Sequence, residues 1–280
     1  MLLRLRTGRN AFDFSRRTFI MGILNVTPDS FTDGGLYVEP EKAVGHALEM
    51  AEMGADIIDI GGESTRPGSL PVDVQLEIRR TVPVIEALRH RSSIPISIDT
   101  YRSEVARAAL DAGADIINDI SGLRFDDEMP GLAARYNAPV VLMHIKGTPK
   151  DMQKNPVYGA LIPEILDYMR ESIRIALEAG VERDRIMIDP GIGFGKTTMQ
   201  NLELLKNLEA FTGLELPILV GPSRKAFIGN VLGGAAAGER LEGTLAAVSI
   251  AIMNGADIVR VHDVKEAARA ARVADAIKRA

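Results

Sequence analysis

Apolar residues in this chain follow two alternating rhythms. Short runs rich in β-branched residues occupy Phe19–Leu24, Ile57–Ile60, Ile94–Ile98, Ile116–Ile120, Pro139–Met143, Ile186–Ile188, Pro217–Val220 and Ile258–Val261. Unbroken apolarity over so few residues fits strands buried on both faces. Between the runs, Lys42–Met53, Val74–His90, Ser103–Ala112, Ile162–Ala179, Met199–Phe211, Leu241–Asn254 and Val264–Lys278 place apolar residues at helical spacing. The stretch Asp126–Tyr136 is shorter and has Pro130 near its start. Strand and helix thus alternate, the pattern of a parallel sheet flanked by helices.

One phrase recurs. Gly54-Ala55-Asp56-Ile57-Ile58 returns as Gly113-Ala114-Asp115-Ile116-Ile117 and as Gly255-Ala256-Asp257-Ile258-Val259. Each copy follows a helical segment and opens an apolar run. Its glycine fits a helix C-cap with positive φ. Eight strand–helix units within this length predict an α/β fold of the (β/α)8 TIM-barrel type. An open doubly wound sheet would place a glycine-rich turn after its first strand. The turn here, Asn25-Val26-Thr27-Pro28-Asp29-Ser30, has none. The barrel is expected to span residues 19–280 as a single domain. Residues 1–18 are expected to form a short N-terminal hairpin or cap over its bottom.

Composition narrows the function classes. The 280 residues carry a net charge of −5 and no cysteine. The charge argues against a general nucleic-acid binder. The missing thiols exclude disulfides, thiolate metal sites and cysteine nucleophiles. No apolar run is long enough to span a bilayer, and the arginine-punctuated start lacks a signal-peptide core. A cytoplasmic protein that engages neither membrane nor nucleic acid is expected.

In such a barrel the chemistry gathers at the C-terminal ends of the strands. Asp99, Asn118, Asp189 and Arg260 interrupt or end apolar runs there. Buried unpaired, each would be costly; they either pair with one another as a structural network or face a ligand. Asp99, Asn118 and Asp189 offer acceptors for a ligand rich in N–H groups, such as an amino-pyrimidine edge. Arg66, Lys225, Arg260 and His262, with Asn25 and Ser223, offer donors suited to phosphate or carboxylate. Asp59, Glu63, Arg102, Asp119, His144 and Lys146 are further polar strand ends, and Asp263 fits a helix cap. His46 and His90 read as structural. The loops Asn25–Gly35 and Gly61–Gly68 carry Phe31 and Arg66 and suit lids. Gly191-Ile192-Gly193-Phe194-Gly195-Lys196-Thr197 resembles a P-loop, but the first required glycine falls on Pro190. No cluster of His and acidic residues suggests a metal centre. If a metal acts, Mg²⁺ fits best, with Asn25 as a single protein ligand.

Several segments together resemble the dihydropteroate synthase family. They are Asn25–Phe31, Gly61–Gly68, Ser97–Thr100, Asn118–Gly122, His144–Gln153, Asp189–Thr197, Ser223–Lys225 and Arg260–Asp263, in the family's order and across nearly the whole chain. The resemblance implies that 4-aminobenzoate displaces pyrophosphate from 6-hydroxymethyl-7,8-dihydropterin pyrophosphate, with Mg²⁺ assisting a dissociative step. It implies that Asp99, Asn118, Asp189 and Lys225 hold the pterin. It assigns Asn25, Arg260 and His262 to the pyrophosphate, Asn25 also to the metal. Thr65, Arg66, Pro67, Phe31, Phe194 and Ser223 would line the aminobenzoate side, and Met143 and Gly221 complete the substrate-binding set. Asn25, Lys225, Arg260 and His262 would carry the catalytic work. A homodimer is also implied. Two other readings remain open: a pterin-binding methyltransferase-like barrel, which needs no pyrophosphate site, and a catalytically silent barrel.

Overall fold

The computed structural model of the chain describes residues 4–6, 11–27, 40–65 and 68–280. Every predicted run becomes a strand: β3 (Phe19–Asn25), β4 (Ile57–Gly61), β5 (Ile96–Asp99), β6 (Ile116–Asp119), β7 (Val140–Met143), β8 (Ile186–Asp189), β9 (Leu219–Val220) and β10 (Ile258–Val261). They pair in parallel in the order β8-β7-β6-β5-β4-β3-β10-β9. A bridge between Ile188 and Ile218 joins the two ends and closes the barrel.

Helices α1 (Pro40–Glu52), α2 (Val74–Arg91), α3 (Ser103–Asp111), α4 (Met129–Tyr136), α5 (Leu161–Glu178), α6 (Thr198–Lys206), α7 (Ala226–Val231), α8 (Leu241–Met253) and α9 (Val264–Arg279) pack outside. Their apolar faces and the outward side chains of the strands form one continuous core. Two helices depart from expectation. The predicted Met199–Phe211 helix ends at Lys206 and continues as 3-10 turns over Leu208–Leu214. Helix α7, between β9 and α8, spans only 6 residues, too few to show a period. No helix among the described residues is long and apolar enough to cross a membrane.

The repeated phrase has a common geometry. Gly54, Gly113 and Gly255 have φ of 110°, 109° and 109°. The following alanine amides, of Ala55, Ala114 and Ala256, each bond the carbonyl five residues back at 2.9 Å. The aspartates then reach sideways. Asp56, Asp115 and Asp257 each accept a backbone N–H of the neighbouring strand at 2.9 Å, from Ile20, Ile96 and Ile218 respectively. Arg17 pairs with Asp56 and Arg89 with Asp115. These locks lie at the N-terminal ends of the strands.

The same end is plugged by aromatics. β1 (Arg4–Arg6) pairs antiparallel with β2 (Ala11–Asp13). Phe12 and Phe14 meet Phe19 edge to face at 5.0 and 5.3 Å. With Met21, Ile57, Ile116, Val141, Met187, Leu219 and Ile258 they form a separate buried cluster inside the barrel. The barrel interior at this end is thereby filled by apolar side chains, and the cavity opens at the opposite mouth.

Candidate active site

Arg260 organises the mouth. It projects from β10, donating from Nε to Asp59 Oδ2 at 2.6 Å and from Nη2 to Asp99 Oδ2 at 2.7 Å. Asn118 Nδ2 also donates to Asp59 Oδ2, at 3.2 Å. One guanidinium thus serves two buried carboxylates from neighbouring strands. The structural network considered from sequence is therefore realised in part, through Asp59, Asn118, Asp99 and Arg260. It is not closed: Oδ1 of Asp99 and Oδ1 of Asp59 are buried without a hydrogen-bond partner among the described residues. Asp99 borders the cavity, so its open oxygen is an acceptor awaiting a donor. Burial pushes the Asp99 carboxyl upward, against the pull of Arg260.

Asp189 ends β8 and accepts from the Gly191 amide at 2.7 Å. Burial pushes its carboxyl up to about 6. Lys225 lies across the same turn, its Nζ 3.9 Å from the centre of the Phe194 ring. Burial and Arg260 bring the Lys225 ammonium down to about 8, while Asp189 and Asp99 pull it back up. The ammonium thus feels both carboxylates in one desolvated region. On the anion side, Ser223 Oγ lies 3.0 Å from His262 Nδ1 and accepts from the His262 amide at 3.2 Å. Burial drives the His262 imidazole down to about 3, so the ring is neutral at working pH.

A cavity of about 720 Å³ opens over these groups, enough for a bicyclic heterocycle with a second ring. Of the residues expected from sequence, Asn25, Thr65, Asp99, Gly221, Ser223, Lys225, Arg260 and His262 line it. Asn118, Met143, Asp189 and Phe194 are not on that lining. They are buried in and beside the floor, where Met143 and Phe194 pack with Ile120, Ile145 and Met152. Phe31, Arg66 and Pro67 lie outside the described residues.

Other expectations are corrected. Asp263 makes no side-chain cap bond; it is drawn instead to Arg224, at 2.5 and 3.1 Å. Lys146 turns away to Glu164 and the Val157 carbonyl. Sequence reasoning left Asp59 out of the site, although it interrupts the Ile57–Ile60 run as plainly as Asp99 ends its own. Arg240 and Asn201, which also border the cavity, carried no signal: Asn201 sits in the ordinary helical segment of α6 and Arg240 just ahead of α8, away from any strand end.

A closed parallel barrel with an ion-paired, desolvated mouth at its strand C-termini defines a (β/α)8-barrel enzyme site. Comparison with known proteins makes that class specific. Residues 21–262 match the family described as pterin binding enzyme. A dihydropteroate synthase from Synechocystis is 50% identical over 275 residues, covering 98% of this chain and 95% of the relative. The structure of Clostridium difficile dihydropteroate synthase in the presence of pteroic acid superposes with a TM-score of 0.91 at 47% identity, covering 96% of this chain and 100% of that one. Xanthomonas albilineans dihydropteroate synthase with 4-aminobenzoic acid gives a TM-score of 0.93 at 42% identity, covering 100% of both chains. The chain belongs to the pterin-binding enzyme family and, within it, to the dihydropteroate synthases.

Proposed function

We propose that this protein joins 6-hydroxymethyl-7,8-dihydropterin pyrophosphate to 4-aminobenzoate, giving 7,8-dihydropteroate and pyrophosphate. The observation that carries this reading is the juxtaposition of acceptors and cations in one desolvated mouth. Asp99 and Asp189 supply carboxylate acceptors for the amino-pyrimidine edge and ring N–H groups of a pterin. Lys225 and Arg260 supply positive charge beside them. The relatives described with pteroic acid and with 4-aminobenzoic acid support both halves of the substrate pair.

Catalysis then rests on placement and charge, with no protein nucleophile. The bond between the pterin methylene carbon and the pyrophosphate oxygen breaks first. Its electron pair leaves with the pyrophosphate, which Asn25, Arg260 and His262 receive. The resulting carbocation is stabilised by the pterin ring and by Asp99 and Asp189 beneath it. The aminobenzoate nitrogen forms the new C–N bond and loses a proton. Thr65, Ser223 and Phe194, with Phe31, Arg66 and Pro67 from the loops, belong to the aminobenzoate side in this reading. Met143 and Gly221 shape the pterin pocket.

The donor set fits Mg²⁺ held mainly by substrate. Among the described residues no group of three His or acidic side chains could hold a metal. The Asn25 side chain, at the cavity edge, is a neutral oxygen donor of the hard type Mg²⁺ accepts alongside phosphate and water. When bound, the ion would neutralise charge on the departing pyrophosphate.

The reading also includes a cytoplasmic homodimer. Ile250 and Met253 of α8 and Val273 and Ile277 of α9 expose apolar side chains that a second copy could cover. The test is pyrophosphate release from dihydropterin pyrophosphate and Mg²⁺, with and without 4-aminobenzoate. Release that requires 4-aminobenzoate and yields dihydropteroate is the expected result. Tight pterin binding without turnover would defeat the synthase reading.

A further inference from the structure

The turn Gly191–Lys196 ends in a buried lysine that the proposed reaction leaves without a role. Lys196 is 2% exposed. Its Nζ lies 2.8 Å from the Gly191 carbonyl, 3.0 Å from the Phe194 carbonyl and 2.9 Å from His144 Nδ1. An ammonium donates one N–H to each of these acceptors. A neutral amine satisfies the same three by donating to the carbonyls and accepting from Nδ1–H. Burial drives the His144 imidazole down to about 2, so the ring is neutral and can serve either arrangement. In both, Lys196 has no hydrogen left for a ligand, although it borders the cavity.

What it grips matters more than where it lies. The two carbonyls bracket the turn whose Gly191 amide bonds Asp189 and whose Phe194 ring carries the Lys225 ammonium. The turn is pressed onto the end of β7: a Cβ at Gly191, whose φ is 74°, would stand 1.9 Å from the His144 carbonyl. The Gly193 amide is tied to Asn201 Oδ1 at 2.6 Å. Packing alone does not select lysine here, because an apolar chain of similar length would fill the space without the desolvation cost.

We propose that Lys196 is a positioning residue. It tethers the Gly191 and Phe194 carbonyls to His144, and so fixes where the Asp189 carboxylate and the Lys225 ammonium stand in the pterin pocket. This rests on the pterin assignment above. The experiment is calorimetric titration of the full-length protein with 6-hydroxymethylpterin, comparing the parent with K196M. Affinity is expected to fall at least about tenfold, as for a lost buried hydrogen-bonding group. Because the parent has no cysteine, K196C can be alkylated with 2-bromoethylamine in denaturant and refolded, which restores an amine at the same reach. Affinity should return with the amine, a recovery that a merely space-filling role would not produce. Should K196M fail to fold, H144A removes one of the three partners and is read in the same way, with a several-fold loss expected. Parent-like affinity in K196M, or in H144A where K196M does not fold, overturns the proposal. So does an aminoethylated K196C that stays weak. A parent that does not bind the pterin at all sinks the substrate assignment instead, and this role with it.

Discussion

At the scale of residues, the mouth is a set of ionisable groups whose titration ranges burial has moved toward neutrality. Asp189 is raised to about 6 and Lys225 lowered to about 8, each by burial. Below the first value the carboxylate gains a proton and stops accepting from the ligand. Above the second the ammonium loses one and stops offering charge. The pH profile of kcat/KM for the pterin substrate, which reports the free enzyme, should therefore be bell-shaped, with an alkaline limb near 8 and an acid limb spanning about 6 to 7, where Asp189 and Asp99 gain protons. Asp99, also raised by burial, steepens the acid limb. D189N should lower the plateau and make that limb shallower; an unchanged profile would remove Asp189 from the pterin site. The importance of Asp99, Asn118, Asp189 and Arg260 was legible because a polar residue inside an apolar run is conspicuous. Their partners were not legible. Arg260 meets Asp59 and Asp99 across separations of 201 and 161 residues, which no local pattern encodes. Lys196 was hidden for a similar reason, since only the folded turn shows that its amine points back at its own loop.

At the scale of elements, the Gly-Ala-Asp phrase did two jobs, of which the sequence showed one. Its glycine announced the end of a helix and its apolar tail the start of a strand. The aspartate's lateral bond to the next strand appears only when the strands stand side by side. Asp115 is the strongest of the three locks, because it holds both the Ile96 amide and Arg89, with both side chains largely buried. D115A should cost about 3 kcal/mol, as for one partner removed from a buried ion pair. This should be read as a lower urea midpoint with KM values unchanged, since Asp115 precedes β6 and the chemistry follows it. An unaltered midpoint would show that the lock is idle. The helices that were misjudged flank the short β9: 3-10 turns over Leu208–Leu214 precede it and the 6-residue α7 follows it, and neither is long enough to carry a helical period.

At the scale of the whole molecule, stability and chemistry occupy opposite ends of the barrel. The Phe12–Phe14–Phe19 plug sits at the base, far along the strands from Arg260 and Asp189. F12A should destabilise by about 3–5 kcal/mol, the usual cost of emptying a phenylalanine site, while pterin affinity stays at the parent value. A parallel loss of affinity would mean that the two ends are coupled. The barrel's closure adds a further consequence. β9 gives only two residues to its ladder with β10 and meets β8 through the Ile188–Ile218 bridge. That join is a thin seam, and Asp189 and Lys225 stand on its two lips. A ligand that bonds both lips stitches the cylinder shut, so bound pterin should slow hydrogen exchange at the Ile188 amide, which spans the seam to the Pro217 carbonyl. The aperture of the pocket and the closure of the fold are then one and the same joint.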